Sequence, residues 1–224
     1  MINDFEERYK PKSIDDIVFA SDKSSSLLNE LINGQRPFPI TEGKCGILLY
    51  GVSGTGKSAL AKLLPQAIEE AREGQNAYER YMQVVPGANG LKLVESIVKQ
   101  AELVPFAKYH YFVLDEVDCL SKDAMKILKS AMNMPQSIYI LTTNHFDLID
   151  SGVRDRCHFI PFNAAPPANW LPFVKKVLAD YGITGISDST LNSNIAQANG
   201  SARGVLSIIF DIISEYNRTA EKAA

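Results

Sequence analysis

One eight-residue segment limits the folds open to this chain more than any other. Gly51-Val52-Ser53-Gly54-Thr55-Gly56-Lys57-Ser58 fulfils the pattern G-x-x-x-x-G-K-[ST] at every fixed position. It follows a short apolar run, 47–50, and opens a stretch, 58–73, in which apolar residues recur at helical spacing. A strand, a glycine-rich turn and a helix in that order make an anion cradle. The glycines let backbone N–H groups point inward at phosphate oxygens, and the helix N-terminus adds its positive dipole. On this reading Lys57 reaches the β and γ phosphates of a nucleoside triphosphate such as ATP. The Ser58 hydroxyl takes one position on Mg²⁺, and Ala59 continues the cradle into the helix.

Strand-like runs at 81–85, 109–114, 137–142 and 157–160 join the first at 47–50, and helical periods at 58–73, 91–103 and 121–132 lie between them. That alternation predicts an α/β fold with a five-stranded parallel sheet in a three-layer αβα arrangement. The runs are nearly continuous in apolar residues, as strands buried on both faces require. Pro65 falls inside the first helical stretch, where it removes a hydrogen bond, so the helix is expected to kink or restart there. After residue 160 the strand signals cease. Pro161 and Pro166-Pro167 lead into three helical stretches, 168–181, 187–198 and 202–220, separated by Gly182, Gly185 and Gly200. The expected organisation is an α/β core over 1–162 and a small all-helical unit over 163–224.

The third strand run ends in two adjacent acids, Asp115-Glu116, at the sheet edge where a parallel α/β fold presents ligands. Two neighbouring carboxylates can divide the work. Asp115 holds Mg²⁺ through its water shell, and Glu116 polarises an attacking water as general base. The fourth run leads into Asn144, placed to orient that water or to begin a turn. Arg154, Arg156 and Arg203 are ordinary surface cations by composition.

Lys and Arg total 23 against 26 Asp and Glu, a formal net charge of −3. The chain therefore lacks the general basic footprint of a free-standing DNA binder, and any nucleic-acid site must be local. Cys45, Cys119 and Cys157 form neither a disulfide framework nor a zinc-ligand pattern. No apolar run approaches the roughly 20 residues that span a bilayer, and the acidic start is unlike a signal peptide. A reducing cytoplasm is the expected location.

Taken together, these segments resemble the AAA+ ATPases, and within them the clamp-loader ATPase subunits that open sliding clamps at primed DNA. The opening 7–18, with Tyr9, Lys10 and Pro11 followed by Ile14-Asp15-Asp16-Ile17-Val18, is similar to the clamp-loader arm, which in that family lies against the adenine. The resemblance implies that Asn144 is the first sensor and Arg203 the second, the latter reaching the γ phosphate from the lid. It implies that Arg156 is an arginine finger serving the site of a neighbouring subunit. The family's Ser-Arg-Cys is here Asp155-Arg156-Cys157, so an acid stands beside the finger and Arg154 is a second candidate.

The resemblance also implies an oligomer around duplex or primed DNA. Lys122, Lys126 and Lys129 follow i, i+4, i+7 spacing opposite Ala124, Leu128 and Ala131, and Lys92 and Lys99 extend the stripe. Family members continue into a helical collar; the 224 residues are expected to hold only the core and the lid, as a cut chain or a collarless relative would. Two other readings stay open. One is a helicase-loader, initiator or mobile-element ATPase that coats DNA; the other is a subunit holding nucleotide without hydrolysing it.

Overall fold

Short apolar runs bounded by glycine, acids or turns form the strands, and amphipathic stretches between them form the crossovers. The structure, a computed structural model, describes residues 2–84 and 90–223. Val85, the last residue of the strand run expected over 81–85, lies outside the described residues. Two compact units divide the chain: Asp22–Gly51 with Lys57–Phe162, and Met1–Ser21 with Val52–Gly56 and Asn163–Ala224.

The first unit holds the sheet, with strands β1 Gly46–Tyr50, β2 Glu79–Gln83, β3 His110–Asp115, β4 Ser137–Thr143 and β5 Cys157–Pro161. All pairings are parallel, in the order β2-β3-β4-β1-β5. The chain leaves β1 for the far edge and then returns one strand at a time. Right-handed crossovers in opposite directions place their helices on opposite faces. Leu48, Phe112, Leu114, Tyr139 and Leu141 accordingly share a core with helices α4 (Leu91–Ala101) and α5 (Lys122–Ala131). The alternate residues Ile47, Leu49, Tyr111, Val113 and Ile140 are also fully buried, and the Tyr111 hydroxyl donates to Glu69 of helix α3 (Lys57–Glu73) at 2.6 Å.

The predicted three-layer parallel fold is therefore present. Burial on both faces holds for β1, β3 and β4 but not for the edges. In β2, with the sequence Glu-Arg-Tyr-Met-Gln, only Met82 is buried, because an edge strand needs no second neighbour and tolerates charge. Helix α3 runs unbroken through Pro65, which is buried, so the expected restart does not occur. Helix α2 (Asp22–Ile32) and the short α6 (Ser151–Asp155) complete this unit.

The second unit is helical. Helices α7 (Pro167–Asp180), α8 (Asp188–Ala196) and α9 (Ala202–Ala223) follow the sequence expectation, and an N-terminal helix, α1 (Ile2–Arg8), joins them. Its Phe5 is buried with Trp170, Val177, Leu191 and Ile209. Gly200 turns the chain between α8 and α9 at φ +74°, a left-handed conformation, and a Cβ there would strike Ala164.

Candidate functional site

Parallel strands bring their carboxyl ends to one edge, so residues distant in sequence meet there. Gly51 follows β1, Asp115 ends β3, and Thr142 and Thr143 end β4 with Asn144 next. Lys57 and Ser58 begin α3. The Ser58 hydroxyl donates to Asp115 Oδ1 at 2.8 Å. Thr142 Oγ1 donates to the same oxygen, and the Tyr81 hydroxyl donates to Asp115 Oδ2 at 2.8 Å. Asp115 is 4% exposed, and a carboxylate buried so deeply requires hydrogen bonds of this kind. Three hydroxyls from α3, β2 and β4 supply them.

Lys57 is equally buried, and its Nζ donates to the Gly51 carbonyl at 2.9 Å. Burial lowers its pKa, while Asp115, Asp118 and Glu116 act in the opposite sense. A lysine side chain at the N-terminus of a helix suits an incoming polyphosphate. Beyond Asp115 the backbone turns sharply. Glu116 has φ 59° and ψ 48°, left-handed values rarely adopted by a residue with a side chain, and its N–H donates to Thr142 Oγ1 at 3.1 Å. Strain of this sort concentrates where a side chain must be aimed. Asn144 is half-buried just past β4, and Thr143 Oγ1 beside it donates to Asp118 at 2.7 Å.

Val52, Ser53, Gly54, Thr55 and Gly56 belong to the helical unit. Thr55 Oγ1 donates to the Val52 carbonyl at 3.0 Å, which tightens the loop. Gly54 accepts the Ala202 N–H at 2.9 Å, and a Cβ on it would lie 2.9 Å from Ser201 Oγ. The loop thus rests on the first turn of α9, where Arg203 follows and is exposed. Tyr9 joins the same unit. Its ring lies 5.0 Å from Phe5, and its hydroxyl donates to Asp180 at 3.0 Å. Burial, with that bond second, pushes the phenol up to about 12. Pro11 is half-buried.

Arg156 is hydrogen-bonded to residues other than the neighbouring Asp155. Its Nε donates to Asn133 Oδ1 and its Nη1 to the Gly152 carbonyl, both at 2.9 Å. Arg154 instead lies 5.1 Å from the centre of the Phe146 ring. In the lysine stripe, Lys92, Lys99, Lys122 and Lys126 are exposed, and Lys126 pairs with Asp123 at 3.0 Å. Lys129 is half-buried with its methylenes over Gly152, since a Cβ there would collide with them. Ala124, Leu128 and Ala131 are buried on the opposite face, as their spacing predicted.

The donors fit the implied cation. Ser58 and Asp115 form an all-oxygen pair, and among the described residues no group of three or more His, Cys, Asp or Glu could hold a metal unaided. Mg²⁺ suits such a partial set, because it keeps waters and takes its remaining ligands from substrate phosphates.

Comparison with known proteins bears on this geometry directly. Residues 47–163, just over half of the chain, match the family described as "ATPase family associated with various cellular activities (AAA)". The chain belongs to this AAA family. It is 25% identical over 207 residues to replication factor C small subunit 2 of Pyrobaculum islandicum, covering 91% of this chain and 61% of that protein. It is 24% identical over 221 residues to the replication factor C small subunit of Methanosphaera stadtmanae, covering 97% and 65%. The chain thus spans about three-fifths of the length of these curated relatives. Among solved structures, a point mutant of Thermotoga maritima RuvB superposes with a TM-score of 0.68 at 16% identity, over 93% of this chain and 68% of that one. This likeness supports the fold. Among the described residues no helix is long and apolar enough to cross a membrane.

Tyr81 and Thr142 were not legible as site residues. Both become so only once strand order puts β3 between β2 and β4.

Proposed function

We propose that this AAA-family chain is a Mg²⁺-dependent ATPase of the clamp-loader kind, whose ATP state controls assembly on DNA and the handling of a ring-shaped protein partner. The observation that carries the reading is the Ser58–Asp115 hydrogen bond, which joins the phosphate-loop helix to the end of β3 beside Lys57 and Glu116. Ser58 and Asp115 would hold Mg²⁺, which when bound would supply charge neutralisation for the phosphates. Lys57 neutralises the β and γ phosphates, Glu116 takes the proton of the attacking water, and Asn144 orients that water. Arg203 reaches the γ phosphate in the same chain. Arg156 acts in the site of a neighbour and supplies transition-state charge, a contribution of about 10³–10⁵ in rate for such fingers. Its two existing hydrogen bonds support this role, because a guanidinium already oriented loses less freedom when it engages phosphate.

Similarity to replication factor C small subunits supports DNA and a sliding clamp as partners. Lys92, Lys122, Lys126 and Lys129 contact phosphates without reading bases, so binding weakens steeply with salt. A protein partner has a candidate surface at the opposite edge of the sheet. Val104 and Phe106 are 88% and 92% exposed beside a groove of about 450 Å³ near Tyr109 and His110, and exposed apolar residues grouped in this way mark interaction sites.

The test is phosphate release with and without primed DNA and the cognate clamp. Stimulation by the clamp is expected. Filament growth on plain duplex without any response to clamp would favour a DNA-coating ATPase, and nucleotide binding without turnover would favour a structural subunit. For the shared site, mixing Arg156→Ala with Lys57→Ala protein should restore part of the activity through hybrid interfaces.

A further inference from the structure

We infer that Tyr81 is a positioning residue for the metal-side carboxylate, orienting Asp115 so that one oxygen is presented to Ser58 and the cation while the other is held back. The inference rests on the ATPase reading above and extends it to a residue that no part of the phosphate-loop pattern contains.

The two oxygens of Asp115 are used differently. Oδ1 accepts Ser58 at 2.8 Å and also Thr142, whereas Oδ2 accepts the Tyr81 hydroxyl at 2.8 Å. A carboxylate held on one oxygen only can rotate about its terminal bond, whose torsional preference is broad and roughly two-fold. A phenol fixed to Oδ2 removes that freedom.

The phenol is itself held. Tyr81 lies on the edge strand β2, paired with Val113 of β3, so its backbone is fixed two residues along from Asp115. Lys62 of α3 places its Nζ 3.9 Å from the centre of the Tyr81 ring. An ammonium over the face of a tyrosine is attracted by the ring quadrupole, and this contact keeps the ring turned toward the acid. Helix α3 therefore holds Asp115 twice, through Ser58 directly and through Lys62 and Tyr81 on the other side. An edge strand whose Glu79, Arg80 and Gln83 are exposed acquires a reason to carry a half-buried tyrosine at this register.

The test compares the affinity of a fluorescent ADP analogue in Mg²⁺ and in EDTA, for the wild type, Tyr81→Phe and Lys62→Met. The ratio of the two affinities isolates what the cation contributes. Tyr81→Phe should lower that ratio about fivefold to tenfold with the EDTA affinity unchanged, and Lys62→Met about twofold to threefold. In turnover, the Mg²⁺ concentration for half-maximal rate should rise by similar factors while the rate at saturating Mg²⁺ changes less than twofold. A merely structural tyrosine would weaken binding equally in Mg²⁺ and EDTA, and that result would overturn the inference. An unchanged ratio in both variants, with a clear Mg²⁺ effect in the wild type, would overturn it and leave the ATPase reading standing. A wild type that binds no nucleotide would overturn the ATPase reading and this one with it.

Discussion

Glu116 offers a perturbation whose effects on stability and on activity point in opposite directions. The residue sits at φ 59° and ψ 48°, where a side chain crowds the following carbonyl at a cost of about 1–2 kcal/mol. Glycine removes that cost but loses more freedom on folding, about 0.5–1 kcal/mol. The net gain expected for Glu116→Gly is about 0.5–1 kcal/mol, or about 1–4 °C in Tm for a chain of this length. Glu116→Gln is the control. It retains the strained backbone and removes the same charge from beside Asp115 and Asp118, so the difference between the glycine and glutamine variants isolates the conformational term. Thermal and urea unfolding of the three proteins measure it. Phosphate release should fall by at least a hundredfold in both variants, the lower range for a lost general base being about 10², while nucleotide binding persists. A glycine variant no more stable than the glutamine variant would refute the strain argument. Substantial turnover in either variant would remove Glu116 from the base role.

The other predictions concern separate regions. His158 on β5 is held neutral, its pKa pushed down from 6.5 to about 4 by burial and then by Lys44 and Arg36. Its unfolded form binds a proton first, so the stability it contributes is intact above pH 6.5 and is lost as pH falls through about 4. After allowance for solvent screening the loss is about 1–2 kcal/mol, and His158→Phe should flatten the urea-midpoint profile over that window. Phe106→Asp should abolish clamp stimulation of phosphate release and leave the unstimulated rate unchanged. Asn133→Ala should lower turnover only where subunits meet, so its defect should appear in the assembled form and vanish in mixtures where Lys57→Ala protein supplies the finger.

Local chemistry was readable from residue order, and long-range chemistry was not. The phosphate loop is contiguous, and its glycines, lysine and serine act through their own backbone and the helix that follows. Asp115 was legible because a buried strand that ends in two acids is itself a local pattern. Its other partners were hidden. Thr142 belongs to β4 and Tyr81 to β2, and nothing in either run shows that β3 lies between them. At Pro65 the sequence left a kink or a restart open, and burial in the α3 core keeps one helix, so the restart does not occur. Helix α1 escaped because a seven-residue stretch has little propensity of its own, and it is Phe5, packed among Trp170, Val177 and Ile209, that anchors it. Arg156 was found by resemblance, and its bonds to Asn133 and Gly152 appeared only in three dimensions.

The central claim is that the edge formed by Lys57, Ser58 and Asp115 binds and hydrolyses Mg·ATP. The most direct measurement is steady-state phosphate release by the wild type and by Lys57→Ala, each with Mg²⁺ and with EDTA, at matched protein concentration and in the presence of primed DNA. The account predicts turnover in the wild type with Mg²⁺ alone and none in the other three conditions. Equal release by wild type and Lys57→Ala, or release undiminished in EDTA, would contradict it.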